Sequence, residues 1–153
     1  MSSPEERLKE LGLTLPEVVK PLASYVPAVR TGDHVYVSGQ IPMENGKLGA
    51  TGKVGAEVTL EEAKRQARVC ALNGIAAAAQ AAGGLGNIVR IVKVVGFVAS
   101  APGFTDQPKV VNGASELFGE VFGDAGIHAR SAVGVAALPL DVPVEVELIA
   151  EVR

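Results

Sequence analysis

The stretch IVRIVKVVGFV, residues 88 to 98, constrains the fold most tightly. Its β-branched residues favour a strand, and both faces of that strand are largely apolar. A sheet covered by helices on one side alone would leave Val, Ile or Phe of such a strand in water, so the second face requires a cover of its own. The stretch 144 to 152 gives the contrast. Val144, Val146, Leu148, Ala150 and Val152 alternate with Glu145, Glu147 and Glu151, which describes a strand with one core face and one charged face.

Two helices are expected to supply the first cover. Thr59 followed by Glu62 has the spacing of a capping box, and the helix it opens should run to about Ala82, with Gly83 and Gly84 as its stop. Its first half has a polar stripe of Glu61, Lys64, Arg65 and Arg68; from Val69 onward only Asn73 and Gln80 interrupt an apolar surface. The second helix places Val110, Val111, Ala114, Leu117, Phe118, Val121 and Phe122 at helical spacing, with Thr105 or Asp106 as cap and Gly123 as stop. Further strands are expected near Tyr25–Arg30, His34–Ser38, Asn87–Ala99 and Arg130–Ala137, with a weaker one around Lys47. The order implies an α+β domain, a mixed sheet with both long helices on one face, in which a strand–helix–strand crossover permits parallel pairing.

Since two helices cover one face only, other copies of the chain are expected to cover the second, and the chain is read as a homo-oligomer. The strand opened by Arg130 continues on one face with Ala132, Gly134 and Ala136, small enough for another backbone to approach. Arg130 is therefore expected at a subunit seam, on the sheet face of Glu145 and Glu147. There it could take a small carboxylate in a bidentate pair; an ordinary inter-subunit salt bridge is the alternative, and spacing alone favours it.

Composition narrows the function. A chain of 153 residues with net charge −3 fits one domain and carries no basic stripe, which speaks against nucleic acid as a partner. Cys70 is the single cysteine, and with two histidines in the chain no metal-ligand set is visible, so no metal is expected. The lone cysteine makes a cytoplasmic chain the expectation, and the opening MSSPEERLKELG, which mixes charges of both signs, reads as a short amphipathic helix rather than a signal peptide or membrane anchor, so no membrane partner is expected. In YVSGQIPMENG, residues 36 to 46, a strand, a bulge and a turn follow one another, and Ser38 could donate into a pocket. His34 lies roughly 13 Å from Ser38 along the strand, too far to activate it. GGLG at 83 to 86 follows a helix instead of preceding one, unlike a phosphate loop. Cys70 reads as a packed thiol, and His128, two residues before Arg130 on the same face, as a rim group or a surface histidine.

Taken together, Tyr25–Val26, SGQIP at 38 to 42, Val111–Asn112, ARS at 129 to 131, LP at 138 and 139 and VEVE at 144 to 147 resemble the RidA/YjgF family. The resemblance covers the chain from about Tyr25, and divides it into an N-terminal helical extension, residues 1–22, and a RidA/YjgF-like domain, residues 23–153. It implies a chorismate-mutase-like fold and a homotrimer whose sheets form a central barrel, with pockets at the subunit interfaces. It further implies hydrolysis of reactive 2-imino and enamine acids to 2-keto acids and ammonia, with no cofactor and a small imine or keto acid as the partner. Arg130 would bind the substrate carboxylate, Glu145 would position or protonate water and imine, and Tyr25, Ser38, Asn112 and Ala132 would line the pocket. Ala132 stands where many deaminases of the family have cysteine. A non-catalytic trimer that binds a small carboxylate or a protein partner is the alternative. Endoribonuclease activity, described for some relatives, fits the acidic charge less well.

Overall fold

The computed structural model describes residues 2–21 and 23–153. Helix α1 (Pro4–Glu10) is fixed by a capping box in which Ser3 and Glu6 exchange side-chain and backbone hydrogen bonds, and it buries Leu8. Seven residues of the N-terminal segment are helical; Leu11 to Pro21 form no regular element and pack Leu13, Leu15 and Val18 against the core. The expected boundary between extension and domain touches Leu22, which, like Met1, lies outside the described residues.

Strands β1 (Ala28–Thr31) and β2 (His34–Gln40), a small hairpin of β3 (Met43–Glu44) and β4 (Lys47–Leu48), helix α2 (Leu60–Ala82), strand β5 (Ile88–Ala99), helix α3 (Gln107–Phe122), and strands β6 (Ala129–Val135) and β7 (Val144–Val152) complete the chain. The main sheet has the order β1-β2-β7-β5-β6. The β5–β6 pair, joined through α3, is parallel, and the other neighbours are antiparallel. This is the mixed α+β architecture read from the sequence. The first strand starts at Ala28 rather than Tyr25, because Pro27 has no N–H for the ladder and its carbonyl instead accepts from the Ser38 N–H at 2.8 Å.

Thr59 caps α2 by accepting from the Glu62 N–H. The reciprocal half of the expected box is not formed: the Glu62 carboxylate accepts from Arg65 at 3.0 Å and from Gln66 at 2.8 Å, partners one turn along the helix. Gly83 takes the left-handed conformation, φ 81°, that ends the helix. Both long helices lie on one face of the sheet and bury Ile75, Leu117 and Phe118 over Ile91, Val94, Val98, Val144, Val146 and Leu148. Burial of each large aliphatic or aromatic side chain contributes about 1.5–3 kcal/mol. Cys70 is packed in this layer, its thiol 3.7 Å from the Val144 carbonyl, and burial pushes its pKa well above the ordinary range. At Gly96 of β5, helix α3 comes so close that a Cβ would lie 2.6 Å from Val111 Cγ1.

Strand register fixes the other face. Tyr36, Ile149, Lys93 and Ala129 stand in one row across β2, β7, β5 and β6; Glu147, Val95 and Ser131 form the next, and Glu145, Phe97 and Val133 the third. Among the described residues no helix or strand is packed over these rows, and Val19 to Pro21 reach only their Glu145 end; Tyr36 and Val133 are exposed, and Val95, Phe97 and Ile149 are half-buried.

Candidate functional site

The rows decide where Arg130 points. It is paired with Val94, which is paired with Leu148, and both of those side chains are buried beneath the helices. Arg130, Ala132 and Gly134 therefore occupy the helix face of β6, not the face of Glu145 and Glu147, which corrects the sequence expectation. The small residues make room for α3 rather than for a second subunit. At Gly134 a Cβ would meet the Gln107 amide at 2.8 Å, and Ala132 packs against the core. The strand is at the sheet edge, so parity alone could not say which of its faces the helix would reach.

The Arg130 guanidinium is held by three groups of α3. Nη1 donates to Asn112 Oδ1 at 2.8 Å and to Ser115 Oγ at 3.1 Å, and Nη2 donates to the Pro108 carbonyl at 3.3 Å. An arginine has five N–H donors. Three are thus engaged, and two remain without a partner among the described residues, as many as a carboxylate accepts in a bidentate pair. Asn112, expected in the pocket, is here a first anchor of the arginine.

His128 joins the same cluster. Its Nδ1 lies 2.6 Å from the Gly126 carbonyl and its Nε2 lies 2.9 Å from Ser115 Oγ. Its ring packs edge-on to Phe118, with centroids 5.6 Å apart. Burial holds its pKa below the usual histidine range and the Arg130 charge adds to that, while the bond to Gly126 acts in the opposite direction. It is half-buried and bonded at both nitrogens, not a surface histidine. Ser115 and its link to His128 escaped the sequence reading. The signals available were the i, i+3 spacing of Asn112 and Ser115 and the shared strand parity of His128 and Arg130.

Glu145 stands elsewhere. It lines a cleft of about 280 Å³ with Tyr25, Gly39, Gln40, Ile41 and Pro139, and Val19 to Pro21 of the N-terminal segment form one wall. Its carboxyl packs onto the bulge between Val37 and Gln40, where β2 carries one residue more than β7. A Cβ on Gly39 would lie 2.8 Å from Glu145 Cδ. Burial raises the Glu145 pKa, and Glu147 adds to the rise. Ser38 does not donate into this cleft; its Oγ–H donates to the Val26 carbonyl at 2.7 Å and so fastens the segment that carries Tyr25. The loop after the bulge is tied to α2 by Asn73, whose Nδ2 donates to the Ile41 and Met43 carbonyls at 3.1 and 2.9 Å.

The expected site residues thus form two groups, Arg130 with Asn112 and Ala132, and Glu145 with Tyr25 over Ser38. Arg130 and Glu145 are two strands and three residues apart, about 14 Å at 4.8 Å per strand and 3.3 Å per residue, and point to opposite faces. They do not meet within one chain. Among the described residues no three of His, Cys, Asp and Glu converge as a metal-ligand set, and no helix is long and apolar enough to cross a membrane.

A mixed α+β sheet with an arginine tied to α3 at its edge and a half-buried carboxyl at a β-bulge matches a known class. The model described as "YjgF/chorismate_mutase-like, putative endoribonuclease" covers residues 5–152, and the chain belongs to this YjgF/RidA family. It is 43% identical over 147 residues to Protein TCP17 of Trypanosoma cruzi, covering 95% of this chain and 92% of that one. It is 38% identical over 129 residues to the 2-iminobutanoate/2-iminopropanoate deaminase of Escherichia coli, covering 84% and 88%. The solved structure of Atu1372 from Agrobacterium tumefaciens is 49% identical and superimposes with a TM-score of 0.91, covering 98% of this chain and 92% of that one.

Proposed function

We propose that the chain is a cytoplasmic homotrimeric hydrolase that converts 2-imino and enamine acids to 2-keto acids and ammonia, without a cofactor, in pockets built between subunits. The observation that carries the reading is the Arg130 guanidinium, fixed by Asn112, Ser115 and Pro108 with two donors left for a carboxylate. The uncovered apolar rows through Tyr36, Ile149, Val95, Phe97 and Val133 support assembly into a barrel of three sheets. In such an assembly the Arg130 edge of one copy faces the Glu145 cleft of the next, which joins groups that one chain holds apart. Residues 1–22 act as an extension, in which Val19 to Pro21 wall the Glu145 cleft, and residues 23–153 supply the remaining groups.

The chemistry needs orientation, one proton and water. Arg130 holds the substrate carboxylate. Glu145, kept protonated to higher pH by burial, gives its proton to the imine nitrogen as water adds to the imine carbon. The carboxylate so formed takes the proton that the added water loses and passes it to the amine nitrogen; the carbon–nitrogen bond then breaks as the hydroxyl returns its proton to Glu145, leaving ketone and ammonia. Tyr25 and Asn112 line the two sides, and Ala132 leaves space beside the arginine. An endoribonuclease reading finds no basic stripe in a chain of net charge −3.

The test adds purified protein to an amino-acid oxidase that generates short-lived imines, and follows ammonia and keto acid. Acceleration by the wild type that is lost in Arg130→Ala supports the hydrolase. Full acceleration by Arg130→Ala overturns the mechanism. Saturable, Arg130-dependent binding of 2-keto acids with no turnover of any imine would make the chain a carboxylate-binding protein instead.

A further inference from the structure

Resting on the reading of Arg130 as a carboxylate clamp, we infer that Ser115 and His128 are positioning residues for that clamp, a backbone-anchored hydrogen-bond chain that fixes the pose of the guanidinium. The direction of each bond follows from the partners. Only an N–H can satisfy the Gly126 carbonyl, so Nδ1 of His128 carries the proton at 2.6 Å. In the neutral ring Nε2 is then an acceptor, and the group it faces at 2.9 Å is the Ser115 hydroxyl, which donates to it. With its hydrogen committed, Ser115 Oγ offers lone pairs only, and Arg130 Nη1 donates to one of them at 3.1 Å. The chain therefore runs Arg130 to Ser115 to His128 to the Gly126 backbone, with every donor and acceptor matched.

Without the imidazole, the Ser115 hydroxyl could rotate and no longer be a dedicated acceptor. One of the three ties on the guanidinium would become optional. Asn112 and Pro108 alone, both on α3, would hold the fork at two points and leave its plane free to tilt about the line that joins them. His128 adds an anchor that α3 does not supply. It sits just ahead of β6, in contact with Phe118 of α3, and follows the turn that ends in Gly126. The chain thus ties the helix that holds the arginine to the strand that carries it. Arg130 is the charged group facing the imidazole. A second cation there would repel the guanidinium, so the neutral ring is the form that suits the clamp.

The effect should fall on affinity rather than on the chemical step, because the chain touches the clamp and not the Glu145 side of the pocket. The experiment measures kcat and KM for an oxidase-generated imine, and calorimetric Kd for 2-oxobutanoate, a keto-acid product of such chemistry, in wild type, Ser115→Ala, His128→Leu, His128→Gln, the Ser115→Ala/His128→Leu double variant and Arg130→Ala. We expect Ser115→Ala and His128→Leu each to raise KM and Kd about tenfold with kcat within about twofold. The double variant should be no worse than the worse single one, since both cut one chain. His128→Gln, which can again accept from Ser115, should recover most of the loss. A purely structural role would instead give additive losses tracking the melting temperature, with no recovery by glutamine. Unchanged KM and Kd in Ser115→Ala and His128→Leu, with Arg130→Ala impaired, would overturn this inference and leave the clamp intact. Unchanged values in Arg130→Ala would overturn both.

Discussion

Replacing Gly39 by alanine moves one functional group and little else. The added Cβ would lie 2.8 Å from Glu145 Cδ, 3.0 Å from Oε2 and 3.1 Å from Cγ. An ordinary carbon–carbon contact is about 3.5 Å, so the carboxyl must retreat by about 0.7 Å. The obstacle is the end of a flexible side chain, and Gly39 is not in the left-handed region, so the backbone tolerates the change. An off-rotamer glutamate costs about 0.5–1.5 kcal/mol, which lowers Tm by a few degrees in a chain of this size. Catalysis should suffer more, since misplacing a reacting group by about 1 Å lowers rates by about 100-fold. We therefore predict kcat lowered at least about tenfold, unchanged Kd for 2-oxobutanoate and a small Tm shift, read by imine turnover, calorimetry and thermal melting. Full activity at unchanged Tm would refute the placement of Glu145 at the reacting atoms, and collapse of Tm would refute the claim that only a side-chain end stands in the way.

Two further predictions concern packing and pH. Gly96→Ala drives a Cβ to 2.6 Å from Val111 Cγ1 in the core and should cost about 1–3 kcal/mol; adding Val111→Ala should recover part of the loss in Tm, and an unshifted single variant would contradict the described approach of α3 to β5. Glu145 has a folded-state pKa above its unfolded one, so the folded state is penalised as pH rises through the folded value, and the penalty is absent below the ordinary carboxylate range. Glu145→Gln should therefore melt higher than wild type at pH 8, with the gain vanishing toward pH 4; a gain that grows on acidification would contradict the sign.

How much of this was legible in the sequence depended on whether a signal was local. The alternation from Val144 to Val152, the Thr59 cap and the Gly83 stop each lie within a few residues, and each was read correctly. The bulge at Ser38–Gly39 was legible because a glycine interrupts a strand pattern just before a proline. The face of Arg130 was not. Small residues beside an arginine suggest close approach by something, but whether that is a neighbouring subunit or the chain's own α3 is decided by register with β5, which no local pattern encodes. Glu62 was misassigned for a related reason: three and four residues along the helix, Arg65 and Gln66 compete for the same carboxylate. The chain from Arg130 through Ser115 to His128 joins a helix to the approach of a strand and exists only once both are packed.

The central claim is that Arg130 of one copy and Glu145 of another form one site. Two inactive variants, Arg130→Ala and Glu145→Gln, test it when co-expressed in equal amounts and purified as a mixed assembly. A site then works only where an intact arginine meets an intact glutamate from a neighbour, and random assortment makes that about a quarter of sites. The account predicts recovery to about a quarter of wild-type imine turnover, absent when the separately assembled variants are simply combined. No recovery in the mixed assembly, with both variants folded and associated, would contradict it.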